Sequence, residues 1–372
     1  MINMKKRARE AGIPFYGATG KNNAITDVAG VEVGYATIIE GSASDSMDAG
    51  SGIVRTGVTA ILPRGKKRSA VFAGRHDLNG NGELTGTHWI DDSGFMHGPL
   101  MLTNTNSVGM VRDTAAKWMI EHNFYYPLIN EGEEIPGCGY FYPAVGETWD
   151  GLLNDINGFR VKEKHVRKAL ENAKGGRIAE GNVGGGTGMV CHDFKGGTGT
   201  ASRLLPKKDG GFTIGVLVQA NHGLRKNFKI KGRHMGTQIC GSQAVYNMLK
   251  PKSGTGSIIV VIATDAPLMP WQLSKLCKRI PIGIGNLGSY GENGSGDIFL
   301  AFSTANENAY TSSESQVTML SDDLLDPIYF SVAEAVEEAI LNAMFAAETM
   351  EGICGNKVYA LPQDQVIELL AR

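Results

Sequence analysis

The chain has little that would staple or anchor it. Five cysteines, Cys138, Cys191, Cys240, Cys277 and Cys354, are scattered over 372 residues with no Cys-x-x-Cys pair. That spacing argues against a disulfide framework and against a zinc knuckle, and the five read as reduced packing residues. The eight histidines all precede residue 235 and include neither His-x-x-x-His nor His-Glu-x-x-His, so no metal is expected. No stretch approaches the ~20 apolar residues of a membrane span. The basic start over 1–10 is not followed by the apolar core of a secretory signal, and the chain reads as cytoplasmic. Charge of one sign is also missing: the formal net charge is -2 with acids and bases intermixed, so neither nucleic acid nor an anionic membrane is an expected partner.

Glycine, by contrast, is abundant. Fifty glycines are nearly twice the roughly 7% of average usage, which predicts many turns and close backbone approaches. The runs Gly181-Asn182-Val183-Gly184-Gly185-Gly186-Thr187-Gly188 and Lys195-Gly196-Gly197-Thr198-Gly199 look superficially like phosphate cradles. They match neither Gly-x-x-x-x-Gly-Lys-[Ser/Thr] nor a clean Gly-x-Gly-x-x-Gly between strand and helix, so no nucleotide cofactor is expected. Alternating or apolar runs predict strands at 58–62, 69–72, 99–102, 212–221 and 258–263. Helical spacing predicts helices over 110–121, 162–173, 235–249 and 270–280, and over 331–349, where Ser331-Val332-Ala333-Glu334 fits a capping box. The block 79–87 has neither period and reads as a shaped loop. Strands and helices interleave without a regular βαβ rhythm, which favours a layered α/β sandwich over a doubly wound sheet.

One stretch stands apart. In Thr255-Gly256-Ser257-Ile258-Ile259-Val260-Val261-Ile262-Ala263, a hydroxyl sits between a glycine turn and a β-branched run, at the mouth of a buried strand. The plain reading of Ser257 is a strand-start residue. As a nucleophile it would need a base. A histidine from the earlier part could fold back, or cleavage of the Gly256-Ser257 bond could give Ser257 an α-amino group of pKa about 7.7–8.0, suited to general-base work at neutral pH. Read alone, Glu147, in Val145-Gly146-Glu147-Thr148-Trp149-Asp150, is an ordinary solvated acid.

Gly256-Ser257-Ile258-Ile259-Val260-Val261-Ile262-Ala263-Thr264-Asp265-Ala266-Pro267-Leu268 resembles the start of the small chain in the L-aminopeptidase/D-esterase and β-aminopeptidase family, the self-processing DmpA-like serine peptidases. Segments 23–34, 79–87, 102–109, 147–158, 195–203, 219–221 and 293–297 resemble the corresponding family segments. The resemblance implies a four-layer α-β-β-α sandwich like that of N-terminal-nucleophile hydrolases but with different connectivity. It further implies one domain over 1–372, cut at Gly256-Ser257 into 1–256 and 257–372, and a homotetramer. Residue by residue, Ser257 matches the nucleophile, Ser295 and Asp297 the supporting hydroxyl and carboxylate, Asn221 the amide facing the oxyanion, and Glu147 the acid that receives the substrate's amino group. Where some members carry a tyrosine two residues after this glutamate, the chain has Trp149, assigned to substrate binding; its indole donates but cannot exchange a proton as a phenol does. Tyr140 and Tyr142 are the nearby phenols.

The implied activity is a cofactor-free serine aminopeptidase or amidase acting on short peptides or aminoacyl amides, β- or D-amino-acyl ones included. One alternative is an acyltransferase of ornithine-acetyltransferase-like architecture, against which Ser257 weighs because those enzymes use threonine. The other is a non-catalytic small-molecule binder built on the glycine-rich loops.

Overall fold

The computed structural model describes residues 6–42, 52–247, 255–311 and 313–372. Its centre is strand β15 (Thr255–Thr264), a run apolar on both faces because both faces are covered. Side chains alternate along it: Ile258, Val260 and Ile262 enter one core, and Ile259, Val261 and Ala263 the other. On one side β15 pairs antiparallel with β12 (Thr213–Asn221). On the other it pairs in parallel with β16 (Gly294–Ser303). Outward from β12 lies β11 (Gly197–Leu204); outward from β16 lie β3 (Val71–Gly80) and β4 (Phe95–Met96), completing six strands.

A second sheet has four strands, β1 (Glu32–Glu40), β2 (Val54–Lys66), β5 (Leu100–Asn104) and β8 (Ala144–Thr148), in the order β1-β2-β5-β8. Val33, Ile61, Leu100 and Leu102 of this sheet meet Leu217, Ile259, Leu300 and Phe302 of the first in a shared core. On the outer face of the four-stranded sheet lie α2 (Val108–Glu121) and α3 (Glu163–Glu171), through Val111, Trp118, Val166 and Leu170. On the outer face of the six-stranded sheet lie α4 (Pro270–Cys277), α5 (Ile280–Asn286) and α6 (Asp326–Ala346), through Leu273, Ile284, Val336 and Ile340. The layers are therefore helix, sheet, sheet, helix, as expected. Helix α6 lies so close to β11 that a Cβ at Gly199 would stand 2.0 Å from Ala339 O. Besides short 3-10 turns, the described residues also form α1 (Thr87–Ser93), α7 (Gln363–Ala371) and four two-stranded ribbons: β6 (Pro127–Asn130) with β7 (Glu133–Gly139), β9 (Val190–Cys191) with β10 (Phe194–Lys195), β13 (Lys229–Ile230) with β14 (Arg233–His234), and β17 (Met350–Glu351) with β18 (Lys357–Val358). No helix among the described residues is long and apolar enough to cross a membrane.

Three local expectations are corrected. The helix expected over 235–249 does not form over 235–247, and residues 248–254, including Lys250 to Gly254, lie outside the described residues. The carbonyls a helix would use are taken instead by Arg225, whose guanidinium donates to Gly236 O (3.2 Å), Ile239 O (2.9 Å), Gly241 O (2.9 Å) and Ser242 O (2.8 Å). That arginine also stands 4.3 Å over the Phe194 ring. Helix α6 begins five residues before the expected capping box, with Pro327 in its first turn, and ends at Ala346. Glu334 lies inside the helix and does not cap it: its Oε2 accepts from Tyr16 N–H at 2.9 Å and its backbone carbonyl from Arg203 at 3.1 Å, while Arg203 meets Glu338 Oε2 at 2.8 Å. Finally, the block read as a loop from residue 79 starts as strand, since β3 continues through Gly80 against β16.

Candidate active site

The strand registers decide which side chains meet. Asn221, the last residue of β12, stands opposite Ser257, and across the parallel pair Gly256 faces Ser295 while Ser257 faces Gly296. Asn221 Nδ2 donates to Ser257 Oγ at 3.3 Å and to Trp149 O at 2.9 Å, while Val190 N–H donates to Asn221 Oδ1 at 2.8 Å. These bonds fix which way the carboxamide points, because its oxygen is committed to Val190 and its nitrogen faces the serine. Ser257 is 3% exposed and Asn221 7%, so the pair lies at the edge of the interior.

Ser295 Oγ donates to Asp297 Oδ1 at 2.6 Å. Two residues apart on one strand, these side chains share a face. A β-bulge opposite Asp297, where β3 carries one extra residue between Asp77 and Asn79, turns the strand locally. Burial pushes the Asp297 carboxyl up to about 6; the Ser295 bond opposes this and the nearby Glu292 charge adds to it. A Cβ built on Gly256 would lie 2.7 Å from the Asn221 backbone carbonyl oxygen and 3.6 Å from Ser295 Oγ, so the strand before Ser257 runs between the β12 backbone and the Ser295–Asp297 pair with room only for glycine.

Glu147 is buried, not solvated as its local sequence suggests. Its Oε1 accepts from Glu83 N–H at 2.9 Å, and its Oε2 accepts from the Thr105 hydroxyl. Burial raises its pKa, opposed by these two bonds. A Cβ on Gly82 would be 3.1 Å from Glu147 Oε1 and 3.5 Å from Gly296 Cα, which puts this carboxylate beside the residue paired with Ser257. Each carboxylate oxygen keeps a lone pair for a further donor. The two sheets are tied together here by Gln219, whose Nε2 donates to Thr103 O (2.9 Å) and Thr148 Oγ1 (2.8 Å).

Trp149 enters the constellation by its backbone. Its carbonyl holds Asn221, while its indole is exposed and lies over Gly151. Tyr140 and Tyr142 gather instead around Trp89, with ring centroids 5.9 and 6.0 Å away, and neither hydroxyl bonds Ser257 or Asn221 among the described residues. No histidine reaches Ser257 by a hydrogen bond among those residues either. Thr105, the Glu83 N–H and Asn79, which donates to Gly291 O at 2.8 Å, escaped sequence reasoning. Their only signal was membership of the segments 79–87 and 102–109 that resemble the family's.

Comparison with known proteins gives the family. The profile of peptidase family S58 matches residues 23–358. The chain belongs to peptidase family S58. A β-peptidyl aminopeptidase of Sphingosinicella microcystinivorans is 46% identical over 380 aligned positions, covering 98% of this chain and 92% of that protein. Among solved structures, the L-aminopeptidase D-Ala-esterase/amidase of Ochrobactrum anthropi, described as a variant of the Ntn-hydrolase fold, superposes with a TM-score of 0.86 at 45% identity, covering 99% and 98% of the two chains. A Burkholderia β-aminopeptidase superposes with a TM-score of 0.84 at 42% identity, covering 98% of each. The S58 chain described here is thereby a hydrolase of the serine aminopeptidase class with an N-terminal-nucleophile type of fold.

Proposed function

We propose that this S58 chain cuts itself between Gly256 and Ser257 and then works as an N-terminal-serine aminopeptidase on short peptides and aminoacyl amides, β- and D-amino-acyl ones among them. The observation that carries the reading is the Asn221 carboxamide, locked by Val190 and Trp149 and aimed at Ser257 Oγ. A donor fixed before the reaction stabilises charge as it develops without reorganising.

In the precursor, Ser257 Oγ attacks the Gly256 carbonyl carbon. The C–N bond breaks, the departing nitrogen takes the hydroxyl's proton, and the resulting ester is released by water. The new α-amine then serves as base: it takes the Oγ proton during attack on substrate and returns it to the leaving amine. Ser295, oriented by Asp297, lies next to that amine's position and can accept its hydrogen bond. Glu147 receives the substrate's free ammonium, for which its carboxylate supplies charge and spare lone pairs. The same reading places the protein in the cytoplasm as a homotetramer.

The test is hydrolysis of a panel of α-, β- and D-aminoacyl nitroanilides by wild type and Ser257→Ala. The reading expects turnover by the wild type alone. Equal turnover by both proteins would overturn it.

A further inference from the structure

A second cluster lies behind Asn221. Cys191 ends β9, His192 opens the turn to β10, and His222 follows Asn221. Although these side chains come from segments about thirty residues apart, their ligating atoms all lie within 4.8 Å of one another. Cys191 Sγ is 3.8 Å from His222 Nδ1, and the two imidazole centroids are 5.4 Å apart at 64°. Exposure is 0% for Cys191 and His192 and 2% for His222, so the donors face the interior.

The hydrogen bonding of the cluster is incomplete. His192 Nδ1 lies 3.3 Å from Leu224 O, a contact that places the proton on Nδ1 and leaves Nε2 as a lone pair. That outer bond to a carbonyl is the arrangement that orients metal-ligating histidines. Nε2 of His192 is buried without a hydrogen-bond partner, an outcome that native interiors rarely tolerate. His192 also holds φ at 50°, a left-handed conformation uncommon outside glycine, and its N–H donates to His222 O at 2.8 Å. One thiolate and two imidazoles form a soft-to-borderline donor set. The 3.8 Å sulfur-to-nitrogen distance is close to the roughly 3.6 Å that ordinary zinc–sulfur and zinc–nitrogen bonds impose in a tetrahedral site.

We propose that Cys191, His192 and His222 bind one thiophilic closed-shell cation, Zn2+ or Cu+, with Cys191 as thiolate. Binding releases the thiol proton and forms one metal–sulfur and two metal–nitrogen bonds. Burial pushes the Cys191 thiol up, which the nearby Lys195 opposes; Lys195 Nζ donates to Met189 O (2.8 Å) and Gly196 O (3.0 Å). The ion joins β9 to the end of β12, immediately beside the Val190–Asn221 hydrogen bond. The binding claim stands whether or not Asn221 serves the serine.

The experiment strips purified protein with a chelator, loads it separately with Zn2+, with Cu+ under reducing anaerobic conditions, and with Co2+ as a spectroscopic probe, and counts metal after gel filtration. One retained equivalent of Zn2+ or Cu+, with a thiolate-to-cobalt charge-transfer band in the Co2+ sample, is expected; Cys191→Ser and His192→Gln should each lose them. A triple variant, Cys138→Ser/Cys240→Ser/Cys354→Ser, removes the thiols outside the cluster that are not fully buried and should keep both the equivalent and the band. It decides the matter even if Cys191→Ser does not fold. No retained ion in the wild type, or loss of the ion and band in the triple variant, would overturn the proposal.

Discussion

At the scale of single residues, the site works by holding a few polar groups out of water in fixed geometry. Asp297 is the most exposed to test because its proton is perturbed: its folded value of about 6 stands above the ordinary 3.8. The folded chain therefore holds this proton more tightly than the unfolded one. Its contribution to stability is greatest below about pH 4 and is lost as pH rises through about 6. Asp297→Asn keeps an oxygen for Ser295 but carries no charge, so near neutral pH the variant should be at least as stable to urea as wild type, by at most about 3 kcal/mol. In activity, the Ser257 amine should produce a first-order fall below about pH 8. In the wild type this should steepen to second order below about pH 6 as Asp297 protonates, and in Asp297→Asn it should not. Glu147→Gln tests the ammonium receptor. Hydrogen bonds to charged groups contribute about 1.5–3 kcal/mol, so kcat/KM for substrates with a free amine should fall roughly 10- to 100-fold, most of it in KM.

Residue identity was legible unevenly. Ser257, Asn221, Ser295 and Asp297 stood out through short motifs and the family resemblance, and the fold brings them together at the ends of β12, β15 and β16. Glu147 alone looked solvated, because nothing in its own segment reveals that Glu83 N–H and Thr105 close over it. Cys191, His192 and His222 were invisible as a group, since their proximity is created by pairing and by one turn, not by spacing.

At the scale of elements, β15 was the easiest to read: its apolar run is short, β-branched and preceded by a glycine turn, which favours a buried strand over a helix. The stretch over 235–249 was the hardest, since its helical spacing is real but Arg225 binds the carbonyls more effectively than an N–H four residues on could. The start of α6 was misplaced because Ser331 and Glu334 mimic a cap, while the buried Glu334 carboxylate instead accepts from Tyr16 N–H. Contact between α6 and β11 depends on the missing Cβ of Gly199. Gly199→Ala must push the helix away from the sheet, and the expected cost of about 1–3 kcal/mol or more should appear as a lower urea midpoint.

At the scale of the whole molecule, the proposed cut would fall inside the best-buried layer. β15 from Ser257 onward and β16 would belong to the 257–372 piece, yet β15 stays bonded to β12 and β16 to β3 of the other piece. The two chains share the cores on both sides of the six-stranded sheet. Their cleavage should therefore leave one particle: the fragments should co-elute on native gel filtration and separate only in denaturant.

The most direct test of the central claim is the denatured mass of freshly purified wild-type protein, with the N-terminus of each component identified. Apportioning 39.7 kDa by length, the account predicts components of about 27 and about 12 kDa, the smaller beginning at Ser257, and a single intact chain for Ser257→Ala. An intact wild-type chain that nevertheless hydrolyses aminoacyl nitroanilides would contradict it.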